Sequence, residues 1–152
     1  MFKRILCPVD FDGNSLDALR TAIYLAQREQ SKLYLLHVIP PTDPSIVSAP
    51  FLAHRTEERA RIELEKIEKS ELTGLDHEML VRFGRPASEI IAAEADVKAD
   101  LVVMATHGRA GVSHLVLGSV AEKVVRESPC PVLTVRMTAE LAGEEAKLPA
   151  TV

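Results

Sequence analysis

The chain lacks any apolar run approaching the roughly 18 residues that would span a bilayer, so no membrane insertion is expected. Its start, Met1-Phe2-Lys3-Arg4, is basic, but the apolar stretch from Ile5 to Val9 is interrupted by Pro8 and stopped by Asp10. That is too short for the core of a secretory signal, and the expectation is a soluble cytoplasmic protein. Cysteine is scarce: Cys7 and Cys130 form neither a C-x-x-C pair nor a disulfide framework. Positive charge is not in excess either. A net charge of −4 and a pI near 5.7 argue against non-specific attraction to nucleic acid or anionic lipid. No G-x-x-x-x-G-K-[ST] loop is present, no G-x-G-x-x-G follows a strand, and there is no G-x-S-x-G elbow. The histidines at 37, 54, 77, 107 and 114 show no metal-ligand spacing. With no nucleophile set beside an acid/base pair, an enzyme is not expected.

What is present is an alternation of short apolar runs and helical patterns in a chain of 152 residues, of which 47% are hydrophobic and 26% charged, the usage of an ordinary globular domain. KRILCPV (3–9), KLYLLHVI (32–39), HEMLVRF (77–83), DLVVMA (100–105) and PVLTVR (131–136) read as strands. Asp12-Gly13-Asn14-Ser15 is turn and helix-cap chemistry, followed by Leu16, Leu19, Ile23 and Ala26 at helical spacing. Prolines 40, 41, 44 and 50 mark 40–50 as a loop. A charged amphipathic helix follows over 54–71, with Ala60, Leu64 and Ile67 inward and Glu57/Arg61 and Glu65/Lys69 as i,i+4 pairs. Pro86 opens another helix, and Ser119–Glu127 is the last. Strands separated by helices imply parallel pairing through right-handed crossovers. The expected fold is therefore an α/β single-domain, open, doubly wound five-stranded parallel sheet with helices on both faces. The domain is expected to cover 1–137, with 138–152 a flexible tail. Ligands of such sheets bind beyond the carboxyl ends of the strands, where strand order reverses.

The stretch ATHGRAGVSHLVLGSVAEKVV (105–125) carries the functional signal. Glycine lets backbone N–H groups approach a phosphate, and a helix N-terminus adds donors and a positive dipole end. Gly108 and Gly111 follow a strand, and Gly118-Ser119 opens a helix. The dipole contributes only about 0.3–1 kcal/mol, against the roughly −8 kcal/mol of micromolar binding, so a nucleotide would gain most of its affinity from base and ribose contacts. The same residues admit a plainer reading. Ser119-Val120-Ala121-Glu122 has the form of a capping box, S-x-x-E, in which Ser119 merely caps its own helix. Local pattern alone weighs the two evenly. Arg109 is equally a phosphate clamp or an exposed loop charge, and His107 fits a water-facing loop histidine better than a phosphate contact. Asp10, at a strand end, has the chemistry of a turn cap.

Nine residues separate Gly108 from Gly118, and Ser119 follows at once. With the strand before it, PCPVLTVR after it, ILCPVDF…NSLDAL at the start, and GRPASEII between, this resembles the G-2x-G-9x-G-S signature of the universal stress protein family, over residues 1 to about 136. The resemblance implies strand order 3-2-1-4-5 and an ATP-binding stress-response regulatory module, with Mg²⁺ or Mn²⁺ carried on the phosphates. It implies that Asp10, with Pro8 and Val9 beside it, anchors the adenine end. Val38 and Met104 would lie along the base, position 105 would touch the ribose, and backbone at Gly108, Gly118, Ser119 and Val120 would hold the phosphates. The family's first motif glycine is replaced by Ala105. A positive φ at that position would cost alanine about 1–2 kcal/mol. The alternatives are a nucleotide-independent interaction protein of the same fold, and a nucleotide hydrolase. The latter is disfavoured because DFDGNS stands where such enzymes carry an S-G-G-x-D-S type loop.

The strand order has two further consequences. Cys7 and Cys130 would be separated by the intervening fourth strand, roughly 9–10 Å at ordinary strand spacings, and stay free thiols. The fifth strand, 131–136, would be an apolar edge, and pairing through it would make a homodimer.

Overall fold

The computed structural model describes residues 1–41, 50–107 and 117–136, with side chains of the helix that begins at Pro50 described from Thr56 onward. The elements are β1 (Arg4–Pro8), α1 (Gly13–Glu29), β2 (Lys32–Ile39), α2 (Pro50–Glu71), β3 (His77–Phe83), α3 (Pro86–Val97), β4 (Leu101–Ala105), α4 (Ser119–Glu127) and β5 (Val132–Val135). The sheet order is β3-β2-β1-β4-β5, and every pairing is parallel, as expected. The expected tail lies outside the described residues, as does 42–49 of the proline-rich loop. The second helix begins at Pro50, four residues earlier than its charged pattern suggested.

Two cores follow from side-chain alternation in the central strands. Ile5, Cys7 and Val9 join Leu19, Ala22, Ile23 and Ala26 of α1 and Leu64 of α2 on one face. Leu6 joins Tyr34 and Leu36, Ile90 and Ala93 of α3, and Ala121 and Val124 of α4 on the other. Helices therefore cover both faces, which is why KLYLLHVI is apolar without alternation. Leu64 is almost fully buried; truncating such a leucine to alanine costs about 2–5 kcal/mol.

Local chemistry sets the helix ends. Asp12 is the N-cap of α1, its Oδ1 accepting from Ser15 N at 2.9 Å, worth about 1 kcal/mol. Pro86 occupies the opening of α3. Gly84, just before it, has φ +147°, a backbone conformation that favours glycine; a Cβ there would also displace the Glu89 side chain, whose Oε1 would lie 2.6 Å away. On α2 the Glu57–Arg61 pair forms at 2.7 Å. Among the described ion pairs, the next turn uses Glu63–Lys66 at 2.7 Å rather than Glu65–Lys69.

Both cysteines are free thiols, as expected. Cys7 lies in the α1 core, whereas Cys130 packs against the α3/α4 core, so the sheet itself stands between them. Near Cys130 the buried Glu94 of α3 accepts from Ser128 Oγ at 2.9 Å and from Cys130 N at 3.1 Å. One carboxylate thereby ties α3 to the connection between α4 and β5.

Candidate functional site

The site begins with a proline. Val9 N donates to Leu36 O, on the β2 side, at 2.8 Å, while Arg4 O accepts from Asp100 N on the β4 side. Backbone groups of successive strand residues point to opposite edges, so even-numbered residues of β1 face β4 and the next rung toward β4 falls at position 8. Pro8 has no N–H to give. Pairing of β1 with β4 accordingly ends at Leu6–Val102, while β1–β2 continues to Pro8–Leu36 and β4–β5 to Ala105–Val135. The two central strands part at their carboxyl ends, at the point where strand order reverses.

The amino end of α4 adjoins this opening. Gly118 is the N-cap, with φ −62° and ψ 151°. The capping-box reading is corrected: Ser119 is the first helical residue and exposed, and the cap position carries no side chain. The first bond of this helix is Glu122 N to Gly118 O at 2.8 Å, leaving the N–H groups of Ser119 and Val120 with no intrahelical acceptor. Gly118 differs. Its own N–H donates to Thr106 O at 2.8 Å, and a Cβ would lie 3.0 Å from that oxygen. The glycine brings α4 against the end of β4, and its amide is already engaged.

Asp10 is half-buried. Its Oδ1 accepts from Asp12 N at 3.1 Å, and its own N–H donates to Ser15 Oγ at 3.2 Å, so the turn-cap chemistry is realised. Phe11, which sequence reasoning passed over, has φ 68°, an outlying conformation for a bulky residue. Its ring stacks on His37 with centroids 4.3 Å apart, and His37 Nδ1 bonds Val9 O at 2.8 Å. Phe11, Arg59, Ile62 and Glu63 line a cavity of about 490 Å³, and none of these four is an expected site residue. No residue-type signal foretells a left-handed phenylalanine; the nearest cue is a polar histidine in an otherwise apolar strand.

Val38 is half-buried beside the α3/α4 core. Met104 is only 5% exposed, which leaves little of it for a base to touch. Ala105 ends β4 opposite Val135 and is not among the residues with positive φ, so the conformational penalty considered for it does not arise. His107 does not face water through its outer nitrogen. Nε2 is buried with no hydrogen-bond partner among the described residues, and Nδ1 sits 3.0 Å from Thr106 Oγ1. Gly108 and Arg109 lie outside the described residues. Among the described residues, no cluster of histidine, cysteine, aspartate or glutamate is arranged to hold a metal ion.

Comparison with known proteins agrees with this topology. The model of the universal stress protein family matches residues 1–136. A universal stress protein of Thermus aquaticus, encoded in the QAH/OAS sulfhydrylase 3' region, is 40% identical over 138 residues, covering 90% of this chain and all of its own length. The solved structure of MJ0577, a universal stress protein of Methanocaldococcus jannaschii, superposes with a TM-score of 0.80 at 31% identity, over 91% of this chain and 99% of that one. A universal stress protein from Archaeoglobus fulgidus in complex with dAMP shares the fold, with a TM-score of 0.61 at 20% identity over 90% of this chain and 98% of that one. The match runs from the first strand through the last, glycine-framed loop included, and the chain belongs to the universal stress protein family.

Proposed function

We propose that this chain is an ATP-binding regulatory module of the stress response, non-enzymatic and cytoplasmic, acting as a homodimer. The observation that carries the reading is the opening of β1 from β4 beyond Leu6–Val102, with the amides of Ser119 and Val120, which lack intrahelical acceptors, at its mouth. In this reading Pro8, Val9 and Asp10 bound the adenine end, Val38 and the exposed edge of Met104 flank the base, and Ala105 meets the ribose. The amides of Ser119 and Val120 hold the phosphates together with the 107–109 stretch, and Mg²⁺ or Mn²⁺ rides on those phosphates. The residues present fit such a group: small and apolar near the base, helix-end donors near the phosphates. A protein of the same fold has been solved in complex with dAMP, which supports an adenine nucleotide as the class of ligand. Residues 1–137 would form the binding domain, with 138–152 outside it. Among the described residues no helix is long and apolar enough to cross a membrane.

The engagement of Gly118 N with Thr106 O and of Asp10 Oδ1 with Asp12 N favours a second reading, an interaction protein that keeps the fold without nucleotide. Denaturing the purified protein and running the supernatant on ion exchange separates the two. The first predicts co-purified adenine nucleotide, and heat and a thermal shift on adding ATP with Mg²⁺. Neither signal at millimolar ATP would establish the second.

A further inference from the structure

We propose that Thr106 is a positioning residue that sets the tautomer of His107, so that His107 presents Nε2–H as a donor for an anionic phosphate oxygen; the inference rests on the nucleotide-binding reading above. Thr106 is unusually well tied at this point in the chain. Its N–H donates to Val135 O at 3.0 Å, fixing it to β5, and its carbonyl accepts from Gly118 N at 2.8 Å, fixing it to α4. With its backbone held from two sides, its hydroxyl has a defined place, 3.0 Å from His107 Nδ1.

Hydrogen-bond accounting decides the direction of that contact. A neutral imidazole carries one N–H and one lone pair. If Nδ1–H donated to Thr106 Oγ1, the hydroxyl proton would have no acceptor among the described residues. Nε2 would then be a buried lone pair with no partner among the described residues. If the hydroxyl donates to Nδ1, the hydroxyl proton and the Nδ1 lone pair satisfy each other, and the single group left over is a buried Nε2–H. A donor left without an acceptor is costly. A phosphate chain, which offers only acceptors, removes that cost on binding. The backbone of His107 borders the opening of α4: a Cβ at position 118 would lie 3.5 Å from His107 Cα.

The test uses the full chain at pH 8. The ¹⁵N shifts of His107 in the nucleotide-free protein should report the Nε2–H tautomer. Thr106→Val, nearly isosteric, should lose that preference and weaken ATP binding with Mg²⁺ roughly tenfold, the size of one hydrogen bond, while Thr106→Ser restores both. In a His107→Gln background, whose amide donates without help from residue 106, Thr106→Val should have no further effect on affinity. The tautomer readout needs no ligand, so it separates this inference from the nucleotide reading. Wild type that fails to bind ATP overturns the nucleotide reading and, with it, the role of Nε2–H as a phosphate donor. Wild type that binds ATP with His107 as the Nδ1–H tautomer, or with the same tautomer and affinity in Thr106→Val, overturns the positioning role alone. Should Thr106→Val fail to fold, the wild-type tautomer and the Thr106→Ser affinity still decide it.

Discussion

The amide of Gly118 and the carbonyl of Thr106 are joined at 2.8 Å across a loop whose ends they close. Because Gly118 has an ordinary negative φ, the need for glycine is one of space: the Cβ of any other residue would lie 3.0 Å from that carbonyl. Gly118→Ala should push the two segments apart and lower stability by about 1–2 kcal/mol, with ATP affinity falling at least tenfold. Gly118→Val should do more of both. Calorimetry and urea denaturation measure the two effects; an alanine variant that binds and unfolds like wild type would show that the carbonyl yields freely.

His77 joins the end of α2 to the start of β3, with Nδ1 2.8 Å from Leu75 O and Nε2 3.0 Å from Glu68 Oε1. Both ring nitrogens face acceptors, so the imidazolium is the form that satisfies both contacts. The Leu75 carbonyl, then the Glu68 and Asp76 carboxylates, raise its pKa against the opposing effect of partial burial. A raised folded value means the contribution is complete below the unfolded value of about 6.5 and fades as pH rises through the folded one. The stability lost in His77→Gln, measured by urea unfolding, should therefore be larger at pH 5.5 than at pH 9. A pH-independent loss would mean that the ring acts through packing alone.

In β5 the carbonyls of Pro131 and Val135 accept from β4, so by alternation the N–H groups of Val132 and Thr134 point to the free edge. The missing N–H of Pro131 thus falls on the β4 side and does not block pairing at that edge. Leu133 is 39% exposed. Thr134→Pro removes an outward donor while leaving the β4 ladder intact, and Leu133→Lys places charge on the proposed interface. Each should turn a wild-type dimer into a monomer by light scattering at tens of micromolar. A monomeric wild type would rule out the interface.

Glu94 is 2% exposed, and its carboxylate relies on Ser128 Oγ and Cys130 N. Ser128→Ala leaves a buried charge with a lost donor and should cost about 1.5–3 kcal/mol, as for hydrogen bonds to charged groups. Urea unfolding of this variant beside Glu94→Gln, which keeps the shape without the charge, separates the hydrogen bond from the ionisation.

Burial pushes the Cys7 thiol up to about 12, and burial followed by the neighbouring Glu94 raises Cys130 to about 11. Since the thiolate is the reactive form, iodoacetamide at pH 8 should leave Cys7 unmodified and label Cys130 slowly in the native protein. Both should react once the chain is denatured without reductant. Absence of reaction there would mean an oxidised pair, which their places on opposite faces of the sheet exclude.

Much of the fold was legible because its signals are local. Pro86, the Asp12–Ser15 cap and the apolar run 32–39 each act through a few neighbours, and alternation of strand and helix leaves few topologies open. The spacing of Gly108, Gly118 and Ser119, with the motifs around it, was likewise legible as a family resemblance. The details of the site were not. A sequence cannot tell whether Ser119 caps its helix or begins it, since S-x-x-E permits both, and only the close approach of Gly118 to Thr106 moves the cap back one residue. Nor can it show that the amide of Gly118 is engaged, that Ala105 is extended, or that Nε2 of His107 is dry. The left-handed Phe11 against His37 was invisible for the same reason. Each depends on groups brought together from different strands, and the distance between such groups is set by packing of the whole sheet, which no local pattern records.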